Sequence, residues 1–212
     1  MASLSIEDPA PLSLDHIRQA VAGVRHEGAS FEPHPRHAAV AIILAPGRDG
    51  IEVCFIRRAQ RTGDPWSGQV AFPGGRASAV DPDPQAVAER ETQEEIGLSL
   101  GVEHRLGALP MRLIENNTQR AGLTLWPFVY CVDALERAQA SVRLPAEVAS
   151  VFWVPIGHLF DAAAVTEYAY PVGANAATFP GIEFGEHVIW GLTLTVLASF
   201  AQVIQRGFPA LA

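Results

Sequence analysis

The chain has two cysteines in 212 residues, Cys54 and Cys131, too few for a disulfide-stapled fold. No Cys/His spacing of the zinc-ligand kind occurs. Both thiols lie in apolar stretches and read as reduced core residues. Positive charge is also short: 15 basic against 23 acidic residues leave a net charge of −8. That balance excludes a nucleic-acid backbone or an anionic membrane as the main partner. No basic-then-apolar leader opens the chain, so a cytoplasmic location is expected. The longest apolar run, about 188–204, is interrupted by Thr193, Thr195, Ser199 and Gln202. It reads as a buried or interface helix rather than a membrane span, and a homodimer is a possible use of such a helix. There is no internal repeat and no low-complexity segment.

Apolar residues make up 49% of the chain, enough for one sizeable core without staples. Residues 1–30 read as an N-terminal extension, loose up to residue 12, with a short helix capped by Ser13 and running to about Ala22. Residues 31–212 read as the main domain. A buried strand Ala38–Leu44 turns at Pro46–Gly50 into a returning strand Ile51–Ile56. A polar loop, Arg57–Ser67, and a short strand at about 69–72 lead to a glycine turn. Strands are predicted at about 105–113, 123–132 and 149–154, and helices at about 155–164 and 188–206. Strands interleaved with helices predict a single-domain α/β fold.

The richest stretch is residues 68–98, GQVAFPGGRASAVDPDPQAVAERETQEEIGL. Asp83 suits a helix N-cap, Pro84 the first helical position and Gly97 the position after the end. Ala88, Thr92 and Ile96 form an inward stripe, with Glu91, Glu94 and Glu95 beside it. At roughly 100° per residue those carboxylates share an arc of about 100°. Like charges so placed repel, and a bound divalent cation would reverse the sign. Carboxylate oxygens suit Mg²⁺ or Mn²⁺.

These residues resemble the box of the Nudix hydrolases, G-x5-E-x7-R-E-U-x-E-E-x-G-U, where U is a bulky apolar residue. Arg90, Glu91, Glu94, Glu95, Gly97 and Leu98 fall in register. Thr92 stands where U is expected. Five residues lead from Gly75 to Asp81 rather than to Glu, and eight rather than seven separate Asp81 from Arg90. That spacing, the turn Phe72-Pro73-Gly74-Gly75, and the stretches VFWVPIGHLFD and HVIWGLTLTVL look like the coenzyme A pyrophosphatase branch. The insertion GDPWSG makes the segment from Arg58 to Gly68 one residue longer than in that branch. The resemblance covers roughly residues 37–205. It implies the Nudix fold, a mixed β-sheet sandwiched between α-helices.

It also implies roles. Glu91, Glu94 and Glu95 would bind Mg²⁺ or Mn²⁺, with the Gly74 carbonyl as a further ligand, and Arg90 would orient a box carboxylate. By their position just before the glycine turn, Arg57, Arg58 and Arg61 read either as a solvated strand end or, with Gly75, as contacts for a phosphorylated small-molecule nucleotide, because a guanidinium fork binds phosphate bidentately. Trp66 can stack on a base or pack; Trp153 and Trp190 are predicted in the core. Glu115 and Glu186 are candidates for the base. The expected activity is hydrolysis of the diphosphate of coenzyme A or its thioesters. ADP-ribose, nucleotide sugars or other nucleoside diphosphate derivatives are the alternative. A non-catalytic nucleotide-binding Nudix module is a third reading, disfavoured by the presence of all three carboxylates.

Overall fold

The structure is a computed structural model that describes residues 12–26, 30–64, 66–115, 122–172 and 175–211. The loose segment expected at 1–12 lies, except for Leu12, outside the described residues. Helix α1 (Leu14–Ala22) begins where the Ser13 side chain accepts a hydrogen bond from the His16 N–H. Strands β1 (His37–Gly47) and β2 (Gly50–Arg58) form the expected hairpin around Arg48-Asp49. Gly50 takes φ 122°, a backbone conformation that favours glycine at the turn exit. Short strands β3 (Val70–Ala71) and β4 (Gly74–Arg76) precede helix α2 (Pro84–Ile96). Then come β5 (Arg105–Ala108), β6 (Arg112–Ile114), β7 (Leu123–Cys131), helix α3 (Ala134–Gln139), β8 (Val148–Pro155) and the single helical turn α4 (Ile156–Leu159). Strands β9 (Val165–Val172), β10 (Asn175–Phe184) and β11 (His187–Trp190) lead into helix α5 (Gly191–Val203).

An eight-stranded mixed sheet carries the fold. Its centre is β1, parallel to β7 from His37↔Thr124 to Leu44↔Cys131 and antiparallel to β2 and β4. The apolar run of β1 is buried on both faces, as a central strand with a parallel neighbour requires. Ile42 and Leu44 join the core shared with Ile17 of α1 and Leu194 and Phe200 of α5. The alternate residues Ala39, Ala41 and Ile43 join Val87, Ala88 and Ile96 of α2 on the other face. Helices on both faces of a mixed sheet are the predicted arrangement. Each fully buried Ile, Leu or Phe in these two layers contributes about 1.5–3 kcal/mol.

Several boundaries differ from the sequence prediction. The strand predicted at 105–113 is two strands, broken where Leu109 donates its N–H to the Pro127 carbonyl. The helix predicted at 155–164 is α4 plus a 3₁₀ turn at Ala162–Ala164. The apolar run from 188 opens as strand β11 and becomes helical only at Gly191, where φ is 61°. Strands β9, β10 and β11 form a separate three-stranded sheet that no sequence pattern announced. Trp190 sits on that sheet, stacked on Tyr168 at 4.5 Å, and is only partly buried. Trp153 is likewise half-buried, beneath the Arg137 guanidinium. Neither is the core residue that its apolar neighbourhood suggested. Among the described residues no helix is long and apolar enough to cross a membrane.

Candidate active site

The glycine turn is fastened before it can carry chemistry. Phe72 is buried and stacks on Phe55 at 4.9 Å, and β4 pairs with β1 through Ala39↔Gly75 and Val40↔Gly74. Gly74 has φ 146°, and a Cβ there would lie 2.3 Å from the Ala39 carbonyl oxygen. Only glycine lets the chain run this close to β1. The two glycines then each receive one carboxylate of α2. The Gly74 N–H donates to Glu95 Oε2 at 2.9 Å. Gly75 faces Glu91, whose carboxyl carbon would be 2.4 Å from a Cβ at that position.

Helix α2 is punctuated as predicted. The Asp83 side chain caps it by accepting from the Ala86 N–H, Pro84 fills the first position, and Gly97 closes it at φ 77°. Thr92, the polar intruder in the inward stripe, is fully buried, and its hydroxyl donates to the Ala88 carbonyl at 2.7 Å. Helical spacing alone puts Glu95 beside that stripe; in the structure it is part of the stripe, with 2% of its surface exposed. Glu94 points outward and is half-exposed.

Arg90 is the hub of the site. Its Nε and Nη2 donate to Asp81 Oδ1 and Oδ2 at 2.9 and 3.0 Å. Nη2 also reaches the Arg76 carbonyl, and Nη1 lies 2.9 Å from Glu91 and 3.4 Å from Glu94. Asp81 is nearly buried and also accepts from the Ser78 N–H and hydroxyl. Burial alone would raise the Asp81 carboxyl, but Arg90 and Ser78 outweigh it and hold it below the usual range. Arg90 is correspondingly held charged.

The inner carboxylates shift the other way. Burial pushes Glu95 up to about 8, helped by the charges of Glu91 and Glu147 and opposed by the Gly74 N–H and Arg58. Burial also raises Glu91, against Arg90 and with Glu94 and Glu147. A divalent cation would reverse both penalties, and carboxylate oxygens are the donors that Mg²⁺ and Mn²⁺ take. Glu91 and Glu95, on the two glycines, fit that role. Among the described residues no three acidic, histidine or cysteine side chains are already gathered as a cage; Arg90 holds Glu91 and Glu94 instead. At Gly74 it is the N–H that engages the helix.

The three arginines ahead of the turn do not form one patch. Arg57 lies 3.7 Å from Glu186, Arg58 pairs with Asp64 at 2.9 Å, and Arg61 pairs with Glu147 at 3.1 Å. Arg58 lines a cavity of about 190 Å³ that also touches Trp66, Gly74 and Gly75. The chain has no lysine, so arginine is its only permanent side-chain cation. Glu186 is spent on Arg57 at an exposed turn, and Glu115 is exposed at the edge of the described residues; among those residues neither touches a box residue.

Glu147, whose side chain pairs with Arg61, is a residue that the sequence did not single out. It precedes β8, its carbonyl accepts from the Ala59 N–H, and its charge is felt at both Glu91 and Glu95. Only the pairing of β8 with β2 brings it there, so no local signal could have named it.

The chain matches the NUDIX domain over residues 35–173. It is 30% identical over 187 residues to the mitochondrial coenzyme A diphosphatase NUDT8 of Mus musculus, covering 87% of this chain and 86% of that one. It is 32% identical over 176 residues to the Nudix hydrolase NudL of Photorhabdus laumondii, covering 80% and 86%. A MutT/nudix family protein from Enterococcus faecalis shares the fold, with a TM-score of 0.56 at 15% identity over 88% of this chain and 69% of that one. With the box carboxylates seated on the glycine turn and the match running from β1 through β9, the chain belongs to the Nudix hydrolase family.

Proposed function

We propose that the chain hydrolyses the diphosphate of coenzyme A or its thioesters, giving 3′,5′-ADP and a phosphopantetheine derivative, with Mg²⁺ or Mn²⁺. The observation that carries this reading is the likeness to the mouse coenzyme A diphosphatase over 87% of this chain, far beyond the box itself. Glu91 and Glu95 would hold the ion, with Glu94 at the rim. A divalent ion bound there supplies charge neutralisation at the phosphoryl oxygens and acidifies a water. The residues of the chain do the rest. Gly74 and Asp81 set the positions of Glu95 and Arg90, and Arg90 in turn holds Glu91. Arg58, which lines the cavity beside the turn where Arg57 and Arg61 do not, would meet a substrate phosphate there. Glu147, outside the box but within the field of both inner carboxylates, is the group we assign to take the proton of the attacking water.

The cytoplasmic location and the homodimer expected from the sequence belong to the same proposal; the two unpaired cysteines are in keeping with the first, and the apolar face of α5 is used within the chain's own core. The competing reading is the same chemistry on ADP-ribose or nucleotide sugars. Product chromatography across coenzyme A, its 3′-dephospho analogue, ADP-ribose and a nucleotide sugar, with Mg²⁺ and with Mn²⁺, decides between them. Highest turnover on coenzyme A is expected; turnover confined to ADP-ribose or sugars would replace the first reading by the second.

A further inference from the structure

Arg58 stands where β2 gives way to the loop that leads to β3, and its backbone closes that loop. Its N–H donates to the Gln69 carbonyl at 2.9 Å, and its carbonyl accepts from the Gly68 N–H at 3.2 Å. Its side chain lines the cavity beside Gly74 and Gly75, and its charge is felt at Glu95. The cavity is mixed in chemistry, with Arg76 and Gln69 on its walls as well as Val40 and Leu192. Arg58 Nε is buried and has no hydrogen-bond partner among the described residues. A buried donor left without an acceptor is rare in a folded protein and calls for an explanation. A phosphate oxygen of a bound substrate would supply the acceptor, in a charge-assisted bond.

Another nitrogen of the same guanidinium is already engaged. Nη2 donates to Asp64 Oδ2 at 2.9 Å, and both side chains are largely buried. Asp64 belongs to the GDPWSG insertion. Its second oxygen, Oδ1, accepts from the Trp66 N–H at 2.9 Å. One carboxylate thus holds the loop backbone with one oxygen and the arginine with the other. The loop is braced as well: the Ser67 hydroxyl accepts from the Arg61 N–H and donates to the Arg61 carbonyl. A long arginine side chain loses rotamer freedom when it meets a ligand, and one fixed beforehand loses less. Resting on the reading that Arg58 meets a substrate phosphate, we infer that Asp64 is its positioning residue, anchoring Nη2 and keeping Nε for a phosphate oxygen. The insertion then belongs to the substrate site, whichever diphosphate is the substrate.

Asp64→Asn separates the two bonds, because its amide oxygen can still accept from the Trp66 N–H while its NH₂ group offers Arg58 no acceptor. Circular dichroism and melting temperature establish that the variant is folded. On the substrate turned over fastest, KM should rise about tenfold while kcat stays within about twofold, the pattern of a contact made equally in ground and transition states. Arg58→Ala should raise KM at least as much. The double variant should be no worse than Arg58→Ala alone, because Asp64 acts only through that arginine. The wild-type protein gives a second readout: the Arg58 Nε–H signal in proton–nitrogen NMR spectra should shift on titration with the phosphorylated products. Wild-type KM in Asp64→Asn, or an effect that falls on kcat alone or persists undiminished in the Arg58→Ala background, overturns the positioning role and leaves the Arg58 contact standing. Wild-type KM in Arg58→Ala, with an Nε–H signal that neither product moves, overturns the Arg58 reading on which it rests.

Discussion

Asp81 and Arg90 form a two-pronged ion pair, Nε to Oδ1 at 2.9 Å and Nη2 to Oδ2 at 3.0 Å, with Asp81 nearly buried. In the sequence this pair is the place where the box departs from its family pattern twice, by an acid one methylene shorter and a spacing one residue longer. In the structure the departures compensate, and the carboxylate arrives at the guanidinium. Asp81→Ala strands Arg90 next to Glu91 and Glu94 without its anchor. A stability loss of about 2–3 kcal/mol is expected, the scale of charge-assisted hydrogen bonds left unmade. Urea denaturation measures it, and turnover should fall alongside because Glu91 loses its position.

Gly74 and Gly75 should fail differently on substitution. Gly74→Ala puts a Cβ against the Ala39 carbonyl at φ 146°, so the turn itself must move. A loss of stability of about 1–3 kcal/mol is expected from the backbone strain. Gly75→Ala meets only the end of the Glu91 side chain, which can swing away. Melting temperature should drop clearly for the first and little for the second, while both lose activity. A Gly75→Ala enzyme with full activity would show that Glu91 is not needed where it stands.

Divalent cations should raise the melting temperature. An ion bound only by the folded state stabilises it by about 2.7 kcal/mol at a hundredfold excess over its Kd. Thermal scans with chelator and with millimolar Mn²⁺ test this. The double variant Glu91→Gln with Glu95→Gln should be folded and indifferent to Mn²⁺. Glu95→Gln alone should lower kcat by roughly 10²–10⁴-fold.

The metal-free protein should show a stability slope set by Glu95. Its folded-state pKa is raised, from an ordinary 4.5 to about 8, so the folded protein holds a proton that the unfolded chain has released between those values. Stability is therefore fully present below about 4.5 and is lost as pH rises toward about 8. Chelator-treated samples melted across that window should show falling stability with rising pH, and Glu95→Gln should flatten the slope. Mn²⁺ must displace the same proton, so its stabilising effect should grow with pH.

Arg58 and Arg61 are not equivalent. Arg58 lines the cavity at the turn, while Arg61 is held by Glu147 and the Ala146 carbonyl. Arg58→Ala should reduce kcat/KM by roughly ten- to a hundredfold, one charge-assisted contact of about 1.5–3 kcal/mol. Arg61→Ala should act through Glu147, changing the pH profile of kcat more than KM. Steady-state kinetics across pH separates the two.

What the sequence by itself determined is local. Asp83, Pro84 and Gly97 delimit α2 because caps are satisfied within one turn of the chain. The β1–β2 hairpin and the buried character of β1 follow from short-range turn chemistry and an unbroken apolar run. Helix α3 is not predicted, although Asp133 and Glu136 form a reciprocal cap, because its 6 residues are too few for a helical period to stand out. Tertiary structure decided which groups share a space. Glu95 meets the Gly74 N–H across 21 residues; Glu147 reaches the box only through β8 on β2; α5 closes the cavity from the far end of the chain. Strands β9 and β10 pair with each other through segments broken by Pro171 and Pro180, which carry no clean alternation to read. Caps and turns are paired within a few residues and so are written locally. Strand partners, burial of a charge and the walls of a cavity depend on contacts between segments far apart in the chain, and no window of sequence contains both sides of such a contact.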